Sequence, residues 1–121
     1  MPNPNKVWGQ VRIKIDGAVL DTEGKSSLEP GGTMREAVQA DFKAGFHTES
    51  TVESKVTCSV LLTAGVSVTA LQEIDDATVT FEADTGQTYV IRHAYCSNKV
   101  SASEGKAQLE LSGPPAEELT V

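Results

Sequence analysis

The sequence predicts a mainly antiparallel β domain with one short helix. Three observations carry that expectation. Apolar and polar residues alternate along several segments, which is the period of a half-buried strand. Turn residues punctuate those segments at Asp16-Gly17, Asp84-Thr85-Gly86 and Glu104-Gly105. The one good helix is VSVTALQEIDD, from Val66 to Asp76; MREAVQADF, from Met34 to Phe42, also admits a helical reading, but a strand suits it better.

In chain order, Val11, Ile13 and Ile15 alternate with Arg12 and Lys14 before the Asp16-Gly17 turn. A two-residue turn there sets Ile15 against Ala18 and Ile13 against Leu20. Asp21 to Thr33 is dense in Gly, Ser and Pro, loses the periodicity, and reads as a long surface loop. From Thr33 to Leu62 the sequence predicts one long hairpin. With HTEST (His47 to Thr51) as its turn, Phe46 faces Val52, Phe42 faces Val56, Ala40 faces Cys58 and Val38 faces Val60. The opposite face then collects Gln39, Asp41 and Lys43 with Lys55, Thr57 and Ser59. In the helix, Thr69 and Gln72 have capping-box spacing, and Leu71 and Ile74 share a face.

Asp76 to Tyr95 is a second hairpin. A loop with Gly86 left-handed pairs Phe81 with Tyr89 and Val79 with Ile91, leaving Thr78, Thr80 and Thr88 on the polar side. A loop one residue shorter would mix the two faces, because a one-residue slip turns every side chain over. A third hairpin turns at Glu104-Gly105 and sets Val100 opposite Leu109. Residues 1–6 read as a flexible arm and 113–121 as a polar tail, around one domain spanning 1–121.

Composition limits what such a domain does. Its 121 residues suit one core, and 39% hydrophobic with only 5% aromatic residues makes that core one of Val, Leu, Ile and Ala. A net charge of −7 argues against general nucleic-acid binding. Cys58 and Cys96 form no C-x-x-C pair. Cys58 sits in a strand pattern where a free buried thiol is ordinary packing, and a disulfide to Cys96 is the lesser alternative. MPNPNKVW lacks an apolar signal core, and no run approaches the ~18 apolar residues of a membrane span. The expectation is a soluble chain made in the cytoplasm.

Chemistry-bearing motifs are weak. EGKSS (Glu23 to Ser27) imitates the end of a phosphate loop, but the required upstream Gly is Val19 and no helix follows. The acids of EIDD (Glu73 to Asp76) better suit a helix end than a cation site. His47 and His93 have no triad-like neighbours. Trp8 reads as a core or interface anchor. The expectation is no enzyme, no cofactor and no metal. Exposed hairpin edges favour assembly with further copies.

The order of segments adds to this. Ile15-Asp16-Gly17 is followed by Pro30-Gly31-Gly32-Thr33-Met34-Arg35-Glu36, then AGFHTE, then the helix running into DATVTFEADTGQTYVIRHAY, then EGKAQLELSGPPAEE. That series resembles the Mu-like contractile-phage tail tube family over nearly the whole chain, from Val7 to Glu118. Asp76 to Arg92 and Gly105 to Pro114 carry the resemblance best.

The resemblance implies an antiparallel β-sandwich or barrel with one short flanking α-helix, similar to the type VI secretion tube. It implies a structural virion protein of the phage tail, made in the host cytoplasm. Its copies would form hexameric rings, stacked into a tube inside a contractile sheath. Tape measure, baseplate and terminator proteins are the further partners implied, and genome would pass through the lumen without specific binding. Carried onto this chain, the inter-ring loop comprises Glu23, Lys25, Ser27, Leu28, Glu29, Pro30, Gly31 and Gly32. The lumen face comprises Gln39, Asp41, Lys43, Lys55, Thr57 and Ser59. Thr78, Thr80 and Thr88 would then face the sheath or a neighbour. The alternatives are a tailocin or type VI-like tube and, less favoured, a ligand-binding β-sandwich.

Overall fold

A computed structural model of the chain describes residues 3–24 and 26–119. Lys25 therefore lies outside the described residues. The strands are β1 (Val11–Ile15), β2 (Ala18–Leu20), β3 (Ser27–Glu29), β4 (Gly32–Ala40), β5 (Lys43–Val52), β6 (Ser54–Leu61), β7 (Ala77–Ala83), β8 (Thr88–Cys96), β9 (Ser101–Ser103), β10 (Lys106–Gly113) and β11 (Glu117–Leu119). One helix, α1 (Val68–Gln72), separates β6 from β7.

Among the described residues, nine strands form one antiparallel sheet in the order β2-β1-β7-β8-β10-β6-β3, with β11 on β8 and β9 on β10. The sheet folds over on itself at β8. The first half of β8 pairs with β7 and β11, while its end pairs with β10 through Tyr95 and Cys96. Between these halves the register with β7 shifts, and His93 takes a left-handed φ of 58°. A bulge of this kind bends a strand from one layer into the next. Ile13, Val79, Phe81 and Ile91 of one layer then meet Val56, Cys58, Val60, Leu109 and Leu111 of the other in one buried core. Leu71 of α1 closes the side, and Trp8 lies edge-on to Phe81 at 5.6 Å.

Three hairpins form as their sequences dictate. Ile13 pairs with Leu20 and Ile15 with Ala18. Phe81 pairs with Tyr89 and Val79 with Ile91 around a loop in which Gly86 is left-handed. Ala107 pairs with Ala102 across the Glu104-Gly105 turn.

Four expectations need correction. The helix N-cap is Ser67, whose Oγ accepts from the Ala70 N–H at 3.2 Å, and not Thr69. Asp21–Thr33 is not a free loop. The Leu61 N–H donates to the Asp21 carbonyl, the Glu23 N–H donates to the Ser59 carbonyl, and β3 pairs with β6. The tail contains β11, paired with β8. The largest correction concerns the hairpin of Thr33 to Leu62. Its turn is at Asp41-Phe42, with Phe42 left-handed at φ 66°. Val38 thus pairs with Phe46 instead of Val60, and Ala40 with Lys43 instead of Cys58. Val56, Cys58 and Val60 pair with β10. His47 lies within β5, opposite Ala37, and not in a turn. Cys58 and Cys96 are both free thiols.

Candidate assembly interface

Among the described residues, strands β4 and β5 pair only with each other and form a separate two-stranded sheet. This arm hardly touches the body beyond its root. Nearly every residue along it is exposed. A two-stranded ribbon in water has no core, so it is marginal by itself.

The arm continues a ladder that begins in the body. Leu28 pairs with Val56 and Glu29 with Lys55; past the break, Gly32 pairs with Val52 and Met34 with Ser50. Each step along one strand is matched by one step back along the other, so the alignment survives the break. The odd-numbered side is therefore shared in register. In the body it carries Lys55, Thr57 and Ser59 of β6, and pairing brings Ser112, Glu110 and Gln108 of β10 onto the same face. On the arm it carries Thr33, Arg35, Ala37, His47, Glu49 and Thr51.

This odd-numbered side is polar and internally paired. Lys55 Nζ lies 3.2 Å from Glu110, Lys106 Nζ 3.0 Å from Glu23, and Gln108 donates to Ser59 Oγ at 2.8 Å. The hydrogen bond and charge of Glu110 raise the Lys55 pKa above its ordinary value, so this lysine stays cationic. On the arm, Glu49 accepts from Arg35 at 3.4 Å and lies 3.3 Å from His47 Nε2. Positive charges on this surface thus sit beside carboxylates.

The even-numbered side of the arm carries its large apolar residues, interrupted by the Glu36–Thr48 pair and by Ser50 opposite Met34. Met34 is 57% exposed, Val38 45% and Phe46 50%, while Phe42 at the tip is wholly exposed. The equivalent side in the body is the core. The arm accordingly presents large apolar side chains with none of the described residues packed over them.

The root is narrow. Gly31 is left-handed at φ 71°, and a Cβ there would lie 2.6 Å from the Glu53 carbonyl. No other residue fits that crossing without moving backbone.

The candidate residues fall into separate places. Lys55, Thr57 and Ser59 share the body's polar surface, Gln39 lies at a bulge in the arm, Asp41 is in the tip turn, and Lys43 pairs with Ala40. They do not form one face of one hairpin, as the sequence suggested. Glu23, Ser27, Leu28 and Glu29 lie along β6, and Pro30, Gly31 and Gly32 form the root of the arm. Thr78, Thr80 and Thr88 are half-buried on the outer surface of β7 and β8, where Lys14 pairs with Thr80 and its Nζ lies 3.1 Å from Glu82. The exposed apolar residues Met34, Phe42 and Phe46 were missed as an interface. Alternation alone does not say whether a dry face meets its own core or another copy.

Residues 4–118 match the family model described as phage tail tube protein. The chain belongs to the phage tail tube family. It is 34% identical over 105 residues to the Mu-like prophage FluMu tail tube protein of Haemophilus influenzae, covering 86% of this chain and 88% of that one. It is 25% identical over 107 residues to the tail tube protein of Escherichia phage Mu, covering 88% and 90%. Both place this tail tube subunit in the Mu-like group, as the segment order implied, and its role is structural.

Solved structures share the fold at low identity. The anti-feeding prophage cap, which terminates a tube, superposes with a TM-score of 0.69 at 9% identity over 100% of this chain and 93% of that one. A chain of the sheath–tube complex of the extracellular contractile injection system PVC, in its extended state, gives 0.63 at 11% identity over 99% and 93%.

Proposed function

We propose that this tail tube subunit forms hexameric rings that stack into a hollow tube, and that the arm joins one copy to the next. The observation that carries the reading is the uncovered apolar side of the arm, Met34, Val38 and Phe46, on a ribbon with two free edges. Free edges offer unpaired N–H and C=O groups to another chain. The occupant is a second copy of this chain, because a heterologous contact repeated around a ring closes on itself. Reach between rings then falls to the arm, since Asp21, Glu23 and Ser27–Glu29 are tied along β6.

The polar odd-numbered side, with Lys55, Thr57 and Ser59 in the body and Thr33, Arg35 and Glu49 on the arm, lines the lumen. Its cations are held by Glu110, Glu23 and Glu49, so passing DNA meets no free basic stripe. Thr78, Thr80 and Thr88 face outward to a contractile sheath or a neighbouring subunit. Tape measure, baseplate and terminator proteins meet the tube along its lumen and at its ends. The assembled tube resides in the virion tail after synthesis in the host cytoplasm. The Mu-like relatives favour a phage tail over a tailocin or type VI-like tube, since the injection-system structures share only the fold.

Electron microscopy of the purified chain at high concentration tests this. Rings and tubes are expected from the native sequence, and folded single subunits from the double variant Val38→Asp/Phe46→Asp. Normal tubes from that variant would remove the arm from assembly.

A further inference from the structure

We propose that the C-terminal segment Gly113–Leu119 is a clamp that sets the direction in which the arm leaves the body, with Ser54 as its positioning residue. The arm's root is the weak point of the ribbon. Pro30 has no N–H to donate, Gly31 and Gly32 are both left-handed, and the ladder is interrupted there. Beyond the root the arm hardly touches the body, so its own contacts do not fix its angle.

What holds the root comes from elsewhere in the sequence. Ser54, two residues past the end of the arm's returning strand, is fully buried. Its Oγ donates toward the Pro114 carbonyl at 2.6 Å, with the Gly113 carbonyl at 3.2 Å. Ala116 grips the other strand, its N–H donating to the Pro30 carbonyl at 2.8 Å. One short run of chain therefore holds both strands of the neck, one on each side.

That run is itself anchored at both ends. Gly113 is pressed on the core so closely that a Cβ would lie 2.7 Å from Ile91 Cγ2. Beyond the grip, Glu117, Glu118 and Leu119 pair with Val90, Tyr89 and Thr88, and Glu117 lies 3.4 Å from Arg92. Between those anchors the segment adds little to the core: Pro114 and Pro115 are exposed, and Ala116 is half-buried at the core's edge. The segment's product is a fixed angle between arm and body. Its value for assembly rests on the arm being the joining element. A preset direction lets neighbouring arms dock without first paying the ordering entropy.

The test measures the angle before assembly. Spin labels on Thr48→Cys in the arm and Gln72→Cys on α1, in a Cys96→Ser background, report the distance distribution in the dilute, unassembled chain. The buried Cys58 is left in place. A narrow distribution is expected for the otherwise native chain. It should broaden both in Ser54→Ala and in a chain ending at Pro115, while cooperative thermal unfolding of the body persists. Tube yield should fall in both variants. If Ser54→Ala does not fold, the shortened chain decides alone, because none of the described residues it removes, Ala116 to Leu119, is fully buried. An unchanged narrow distribution in the shortened chain overturns the clamp. A broadened distribution with normal tubes upholds the clamp and strikes instead at the arm's role in joining copies.

Discussion

Val38 and Val60 stand on strands of nearly equal length, each with one polar neighbour, Gln39 and Ser59. Val60 is fully buried between its own layer and the layer of β1 and β7; Val38, paired with Phe46, is 45% exposed with no second layer of the described chain over it. The same local pattern thus serves two ends. In the body it completes a core within one chain, and in the arm it presents half of a core to another. Burial of apolar surface stabilises both, but in the arm it is deferred until assembly. Stability of the subunit and stability of the tube are therefore written in different residues, and substitutions should separate them.

The largest effect belongs to the body. Phe81 is fully buried and lies under Trp8. Phe81→Ala should cost about 3–5 kcal/mol in denaturant unfolding of the unassembled chain. A loss no larger than that of an arm residue would break the distinction between the two regions.

Second is the dependence on pH. Burial pushes the Cys58 thiol from its ordinary 9.0 up to about 11. Because the folded chain holds the neutral thiol, this contribution is fully present below pH 9 and is lost as pH rises toward 11. At about 1.4 kcal/mol per unit, it amounts to about 2–3 kcal/mol. Unfolding of Cys58→Ala should fall off less steeply than the native chain between those limits; identical slopes would contradict the thiol's burial.

Third is the neck. Gly31→Ala adds a Cβ against the Glu53 backbone and strains a left-handed residue. A loss of about 1–3 kcal/mol is expected, together with poorer tube formation. Native assembly in this variant would mean that the neck yields freely.

The smallest effect on the subunit belongs to the arm. Phe46→Asp should change unfolding of the dilute chain by no more than ~0.5 kcal/mol and yet prevent tubes in electron micrographs. A large stability loss would show that Phe46 packs within its own chain.

The same comparison explains what could be read from sequence. The β7–β8 hairpin was legible because Asp84-Thr85-Gly86 carries the chemistry its loop demands, and only one register separates Val79, Phe81, Tyr89 and Ile91 from the threonines. The arm's turn was not. Asp41-Phe42 puts a phenylalanine at φ 66°, where Gly or Asn is ordinary, while the polar run His47 to Thr51 imitates a turn. Both pairings put Val38 against an apolar partner, Phe46 or Val60, so alternation could not choose between them. Strands β3 and β11 are three residues each, too short to leave a periodic signal. The order of hairpins pointed to the family. The arm's isolation, on which the interface depends, needed three dimensions.

Hydrogen exchange along residues 32–52, compared between dilute subunits and assembled tubes, tests the central claim most directly. The account predicts rapid exchange along the arm in the free chain and strong protection in the tube, with β6 and β10 protected in both. An arm that exchanges as fast in the tube as in the free subunit would contradict it.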